Sequence, residues 1–221
     1  RRCSRCRFPL VNVSGFAPER GQMPRVCVDN RAIGRLGAEH LLGLGLKHLA
    51  YLEPRTGPRY ELRRRGFIER AEREGVPVAL GRVDGRFEAG RWLPARRARE
   101  LTHFLARLPH PVGLMCVFDA LGMHAMEECQ RQGLRVPQDV AVLGVGNDEL
   151  LCDFAHPSLT SIDVNATRIG YEAARLLHQM LTTGVRAQQT IAVPPHGVVP
   201  RDSPESIAVA DPVVALGLRL I

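Results

Sequence analysis

Apolar runs rich in Val, Leu and Cys alternate along this chain with stretches whose hydrophobic residues recur at helical spacing. A short continuous apolar run bounded by turn residues fits a strand buried on both faces, and the 3.6-residue period fits a helix that covers it. The alternation therefore predicts an α/β fold built on parallel sheet. Strands are predicted at Leu10–Val13, Arg25–Val28, His48–Leu52, Val76–Leu80, Val112–Phe118 and Val140–Val145, with shorter ones near Leu159–Ile162, Thr190–Val193 and Gly197–Val199. The clearest helix runs from Asn30 to Leu44, with Ile33, Leu36, Leu41 and Leu44 on one stripe, an Asn at its N-cap and Gly45 as its stop. Further helices are predicted at Glu61–Glu74, Ala95–Arg107, Ala120–Gln132 and Ala166–Thr183, each ending at a Gly or before a Pro.

Length and composition limit what these elements build. A chain of 221 residues, 45% hydrophobic, buries the core of one large domain or of two small lobes. Its longest apolar stretches, such as Val112–Phe118, fall far short of the roughly 18 residues that cross a bilayer. The basic start, Arg1 to Arg7, has neither an initiator Met nor a hydrophobic signal segment, so the chain is expected to be cytoplasmic with its true start upstream. Six cysteines at irregular spacing are expected to be reduced, four of them acting as small hydrophobes. The Cys3–Cys6 pair has zinc spacing but no second pair or His to complete a site, so no metal and no cofactor is expected.

The formal charge of +7 is uneven: residues 1–100 carry 22 Lys/Arg against 11 Asp/Glu, a net +11, and residues 101–221 carry 8 against 12, a net −4. A basic half admits nucleic acid as a partner. Almost all of the cations are arginines in helical stretches, however, and aromatic stacking residues are scarce, which favours solvated helix faces.

The string from Pro24 to Tyr51, PRVCVDNRAIGRLGAEHLLGLGLKHLAY, resembles the effector-binding domains of the LacI/GalR regulators. The likeness continues with Arg63-Arg-Arg-Gly-Phe67, with Asp119 closing a strand, with Gly133-Leu-Arg-Val-Pro-Gln-Asp-Val-Ala-Val-Leu-Gly144, with Pro157-Ser-Leu-Thr-Ser-Ile162 and with Ile169-Gly-Tyr-Glu-Ala-Ala174. Val11-Asn-Val-Ser-Gly15, Asn147-Asp-Glu-Leu-Leu-Cys152, Pro195 to Ser203 and the helix start Asp211-Pro212 are similar to one branch, the xylose regulators that carry a C-terminal AraC-type DNA-binding domain. The resemblance spans residues 9–221 and implies a periplasmic-binding-protein-like type I fold, with ligand held between two α/β lobes at the carboxyl ends of the strands. Crossovers are implied near Leu52–Pro54, Ser161–Asp163 and Val193–Pro195. The N-terminal lobe is then residues 1–52 and 163–192, and the C-terminal lobe residues 53–162 and 193–203. It further implies that the N-terminal lobe is incomplete, and that 204–221 is a linker and the first helix of a helix-turn-helix domain.

A sugar needs planar donors and acceptors for its hydroxyls and an apolar surface for its ring. The resemblance places Arg63 at an effector-contacting position, the alternative being a solvated arginine in the run Arg63-Arg64-Arg65. Asp119 is either an acceptor at the cleft mouth or the cap of the next helix, and Phe118 either stacks on a sugar or packs in the core. Asn147, Asp148, Tyr60 and Asp29 complete the ligand-binding candidates, with hinge or capping roles open for Asp29 and for Glu53. Gly146 departs from the family, which usually has a sugar-binding acidic residue there; Asn147 or Asp148 is left to substitute for it. The implied function is sensing a sugar, a pentose such as xylose, on behalf of a DNA-binding homodimer, and the alternative is the sugar-binding protein of a transport system. No enzyme is expected: the eight His residues form no nucleophile–base arrangement, and no phosphate-binding glycine loop follows a strand.

Overall fold

The structure, a computed structural model, describes residues 8–13, 23–54, 59–83, 95–185 and 189–203, without the side chains at 59, 60 and 95–98. The chain divides into two units, Arg1–Asp29 with Val164–His196 and Asn30–Asp163 with Gly197–Ile221.

The larger unit is organised by a six-stranded sheet. Its strands are β2 (Leu49–Pro54), β3 (Val78–Val83), β4 (Val112–Cys116), β5 (Val140–Val145), β6 (Ser161–Asp163) and β8 (Gly197–Val199), in the order β3-β2-β4-β5-β6-β8. All neighbours are parallel except β6 and β8, which pair antiparallel. Every residue of β4 and β5 is buried, as continuous apolar runs require of strands covered on both faces. Helices α1 (Asn30–Gly43) and α2 (Arg59–Glu72) cover one face and α3 (Ala95–Leu105) and α4 (Asp119–Arg131) the other, so the core lies in two layers around Leu52, Leu114, Met115 and Leu143. On the first face the rings of Tyr51 and Phe67 lie 5.5 Å apart.

Helices α1 and α2 touch backbone to backbone. A Cβ on Gly34 would fall 1.9 Å from the carbonyl oxygen of Arg63, and one on Gly66 2.2 Å from that of Arg31. The outer arginines pair with acids, Arg31 with Glu69 at 2.6 Å and Arg70 with Glu74 at 3.0 Å. A share of the basic half is thus spent on exposed helix faces, where such pairs contribute little.

The smaller unit holds β1 (Arg25–Val28) parallel to β7 (Thr190–Val193), with Ala173 and Leu176 of α6 (Ala166–Thr183) packed on Val26 and Val193. The strand predicted at Leu10–Val13 is here a single parallel bridge between Asn12 and Arg25.

Two other expectations need correction. The first crossover falls after Asp29, not at Leu52–Pro54, because β2 is hydrogen-bonded on both sides inside the larger sheet. The chain passes between the two units again at Asp163/Val164 and at His196/Gly197. A helix not foreseen, α5 (Glu149–Phe154), follows β5 and is capped by the Asp148 side chain, which accepts from Leu151 N–H at 3.3 Å. The linker and helix expected at 204–221 lie outside the described residues.

Candidate functional site

Parallel strands bring their carboxyl ends to one edge of a sheet, and helices that start there leave backbone and polar side chains at that edge. In the larger unit this edge carries two polar clusters.

The first surrounds Arg63 on α2. Its guanidinium donates from Nε and Nη2 to the Asn30 amide oxygen, at 3.1 and 2.8 Å, and from Nη1 to the carbonyl of Val117 just past β4. The side chain is 7% exposed, so a solvated arginine does not describe it. Asn30, expected as the N-cap of α1, is instead its first helical residue, and its amide goes to Arg63. Beside it Glu53, 4% exposed at the end of β2, receives Arg64 and, at 3.1 Å, Arg82 on one oxygen. Its other oxygen is buried without a hydrogen-bond partner among the described residues.

The second cluster gathers the ends of β4, β5 and β6. Asp119, 3% exposed, accepts from Asp148 N–H at 2.9 Å and from the Ser161 hydroxyl. Burial pushes its carboxyl above the usual range, against the two hydrogen bonds that favour the anion. The N-cap of α4 is Phe118, in extended conformation and without a side-chain bond, so Asp119 is not the helix cap. Phe118 itself is half-buried.

Asn147 stands in the left-handed region at φ 53°, its N–H 3.0 Å from the Ser161 hydroxyl and its amide oxygen 3.0 Å from Nη1 of Arg201. Gly146 has φ 132°, and a Cβ there would sit 2.8 Å from the Asp119 carboxylate. The turn is therefore built for glycine, and the acid expected at this position has no place while Asp119 fills the space.

The family model for the periplasmic binding protein-like domain matches residues 38–204. The chain belongs to this family. The xylose operon regulatory protein of Haemophilus influenzae is 30% identical to this periplasmic binding protein-like domain over 224 residues, covering 97% of the chain and 56% of that protein. The transcriptional repressor CytR of Escherichia coli is 30% identical over 173 residues, covering 76% and 48%. A solved structure of the xylose-binding transcription activator xylR matches with a TM-score of 0.81 at 24% identity, over 98% of this chain and 58% of that one, a likeness of fold. The chain thus spans about half the length of the curated relatives it matches.

Within the periplasmic binding protein-like domain, Arg63, Phe118, Asp119, Asn147 and Asp148 come to the same sheet edge. Asp29 belongs to the smaller unit, where its N–H donates to Val193 O at 2.8 Å, and the Tyr60 side chain lies outside the described residues. Asp148 spends one carboxylate oxygen on capping α5. Asn30, Ser161 and Arg201 were not foreseen as members of these clusters. Ser161 carried a readable signal, a hydroxyl beginning a strand otherwise apolar; Arg201 and Asn30 carried none, because their partners lie 54 and 33 residues away. Among the described residues no group of His, Cys, Asp or Glu is placed to hold a metal, and no helix is long and apolar enough to cross a membrane.

Proposed function

We propose that this domain is the effector-sensing part of a bacterial transcription regulator and binds a sugar, a pentose such as xylose, at the carboxyl edge of the larger unit. The observation that carries the reading is Arg63, a buried guanidinium clamped by Asn30 and the Val117 carbonyl. A fork so held meets a ligand oxygen already oriented, which lowers the ordering cost of binding. Half-buried Phe118 next to Val117 offers an apolar surface for a sugar ring, and Asn147 an amide. The names of the relatives, two regulators and a xylose-binding activator, support the same assignment.

In this reading the protein works in the cytoplasm as a homodimer, and an AraC-type helix-turn-helix domain after residue 211 contacts DNA. Sugar favours one of two conformations because it binds that one more tightly, and the DNA-binding domains respond to the shift. Isothermal titration of the intact regulator with D-xylose, L-arabinose, D-ribose and D-glucose tests it. Saturable heat with one of them that Arg63→Ala abolishes is the expected result. A folded protein that gives no heat with any of the four overturns the sugar assignment.

A further inference from the structure

The Asn147 amide and the last described segment of the larger unit, residues 201–203, share one side chain, Arg201. Its Nε donates to Asp153 at 2.6 Å, and its Nη1 to the Asn147 amide oxygen at 3.0 Å and to the Leu159 carbonyl at 3.2 Å. Its backbone N–H donates to the Thr160 hydroxyl at 2.6 Å, and that hydroxyl donates back to the Arg201 carbonyl at 3.0 Å.

The two residues that follow are stitched in the same way. The Asp202 N–H reaches the Ser158 hydroxyl at 3.2 Å and the Ser203 N–H the Ser158 carbonyl at 2.9 Å. The Ser203 hydroxyl donates to Val142 O at 2.7 Å and accepts from Thr160 N–H at 2.8 Å. Residues 201–203 are therefore fixed to β5 and to the approach of β6, directly behind the turn that carries Gly146, Asn147 and Asp148.

This arrangement decides what Asn147 offers. A guanidinium has donors and no acceptor, so Asn147 must turn its oxygen toward Arg201 and its NH2 away. The backbone at φ 53° and the bond to Ser161 hold the rest of the residue still. Gly146 adds no side chain, and Asp119 is occupied by Asp148 and Ser161. The turn thus presents an amide donor.

We propose that Arg201 is a positioning residue for the effector: it fixes the Asn147 amide as a donor to a sugar oxygen, and it makes residues 201–203 respond when that bond forms. The inference rests on the sugar reading given above and adds the polarity of the contact and the segment to which it is coupled.

Hydrogen exchange and titration on the full chain test both parts, with D-xylose, L-arabinose, D-ribose and D-glucose as probes. In the unsubstituted protein the sugar that binds is expected to slow exchange at residues 146–151 and at 201–203 together. Asn147→Asp keeps an acceptor for Arg201 but replaces the donor, so it is expected to weaken binding about tenfold while the melting temperature without sugar stays unchanged. Arg201→Ala is expected to weaken binding by a similar factor and to lose the protection at 201–203 even when saturated. Binding by Asn147→Asp or Arg201→Ala equal to the parent overturns the positioning role, and sugar-bound parent protein with unaltered exchange at 201–203 overturns the coupling. A parent that binds none of the four sugars removes the sugar reading and this inference with it, an outcome distinct from the other two.

Discussion

Gly146 and Asp119 divide one small volume between them, and the division sets what each can do. A side chain at 146 meets both an unfavourable φ and the Asp119 carboxylate, so Gly146→Asp is expected to cost about 1–3 kcal/mol from backbone strain alone, with like-charge repulsion added. Urea unfolding of the two proteins measures it, and an unchanged midpoint would show that the turn relaxes freely. Because burial raises the Asp119 pKa in the folded state, its stabilising contribution is full below the carboxylate's ordinary 3.8 and is lost as pH rises through the higher folded value. The stability of the parent relative to Asp119→Asn should therefore fall between acidic and neutral pH, read from unfolding midpoints across that range. Arg63→Ala strips donors from the Asn30 amide and the Val117 carbonyl and is expected to cost about 1–3 kcal/mol even without ligand. Sequence names Arg63, Asp119 and Asn147 as ligand-binding candidates. It does not name their partners, because a partner 33, 42 or 54 residues away is chosen by topology and leaves no local trace.

At the scale of elements, the contact between α1 and α2 is the least forgiving. Gly34→Ala and Gly66→Ala each drive a methyl group into a backbone carbonyl of the facing helix, so the helices must part or bend. Each is expected to lower stability by about 3 kcal/mol, checked by the urea midpoint, while alanine at the open Gly43 or Gly170 should leave it nearly unchanged. The long helices and the buried strands were legible because period and punctuation are local properties. Helix α5 was not, since six residues are too few for a period to show, although Asp148 before Glu149-Leu-Leu is a cap signal. The apolar run at Leu10–Val13 predicts a full strand, whereas among the described residues only Asn12 finds a bridge. Local pattern likewise does not say which sheet a strand joins, and β2 was assigned to the wrong unit for that reason.

Over the whole molecule, the two units are unequal among the described residues. The larger has a six-stranded sheet with helices on both faces, and the smaller a two-stranded sheet and one helix around four buried residues. Opening free energies follow buried apolar contact, so the amides of β1 and β7 are expected to exchange faster than those of β4 and β5, and to do so through a separate local opening. Equal protection in the two sheets would mean that they unfold as one. The fold class was legible at this scale from alternation alone, and the family from its motifs. The place of the first crossover was not, because it depends on pairing between segments remote in sequence.

The three crossovers also fix an order of assembly. Every described element of the larger unit except β8 lies between β1 and its partner β7, so during synthesis the smaller sheet waits while β2 to β6 can already pair. Closing so long a loop is slow unless the intervening chain has collapsed first. A nascent chain halted before residue 190 would therefore hold, among the described strands, a larger sheet lacking only β8, and a β1 still without its partner β7.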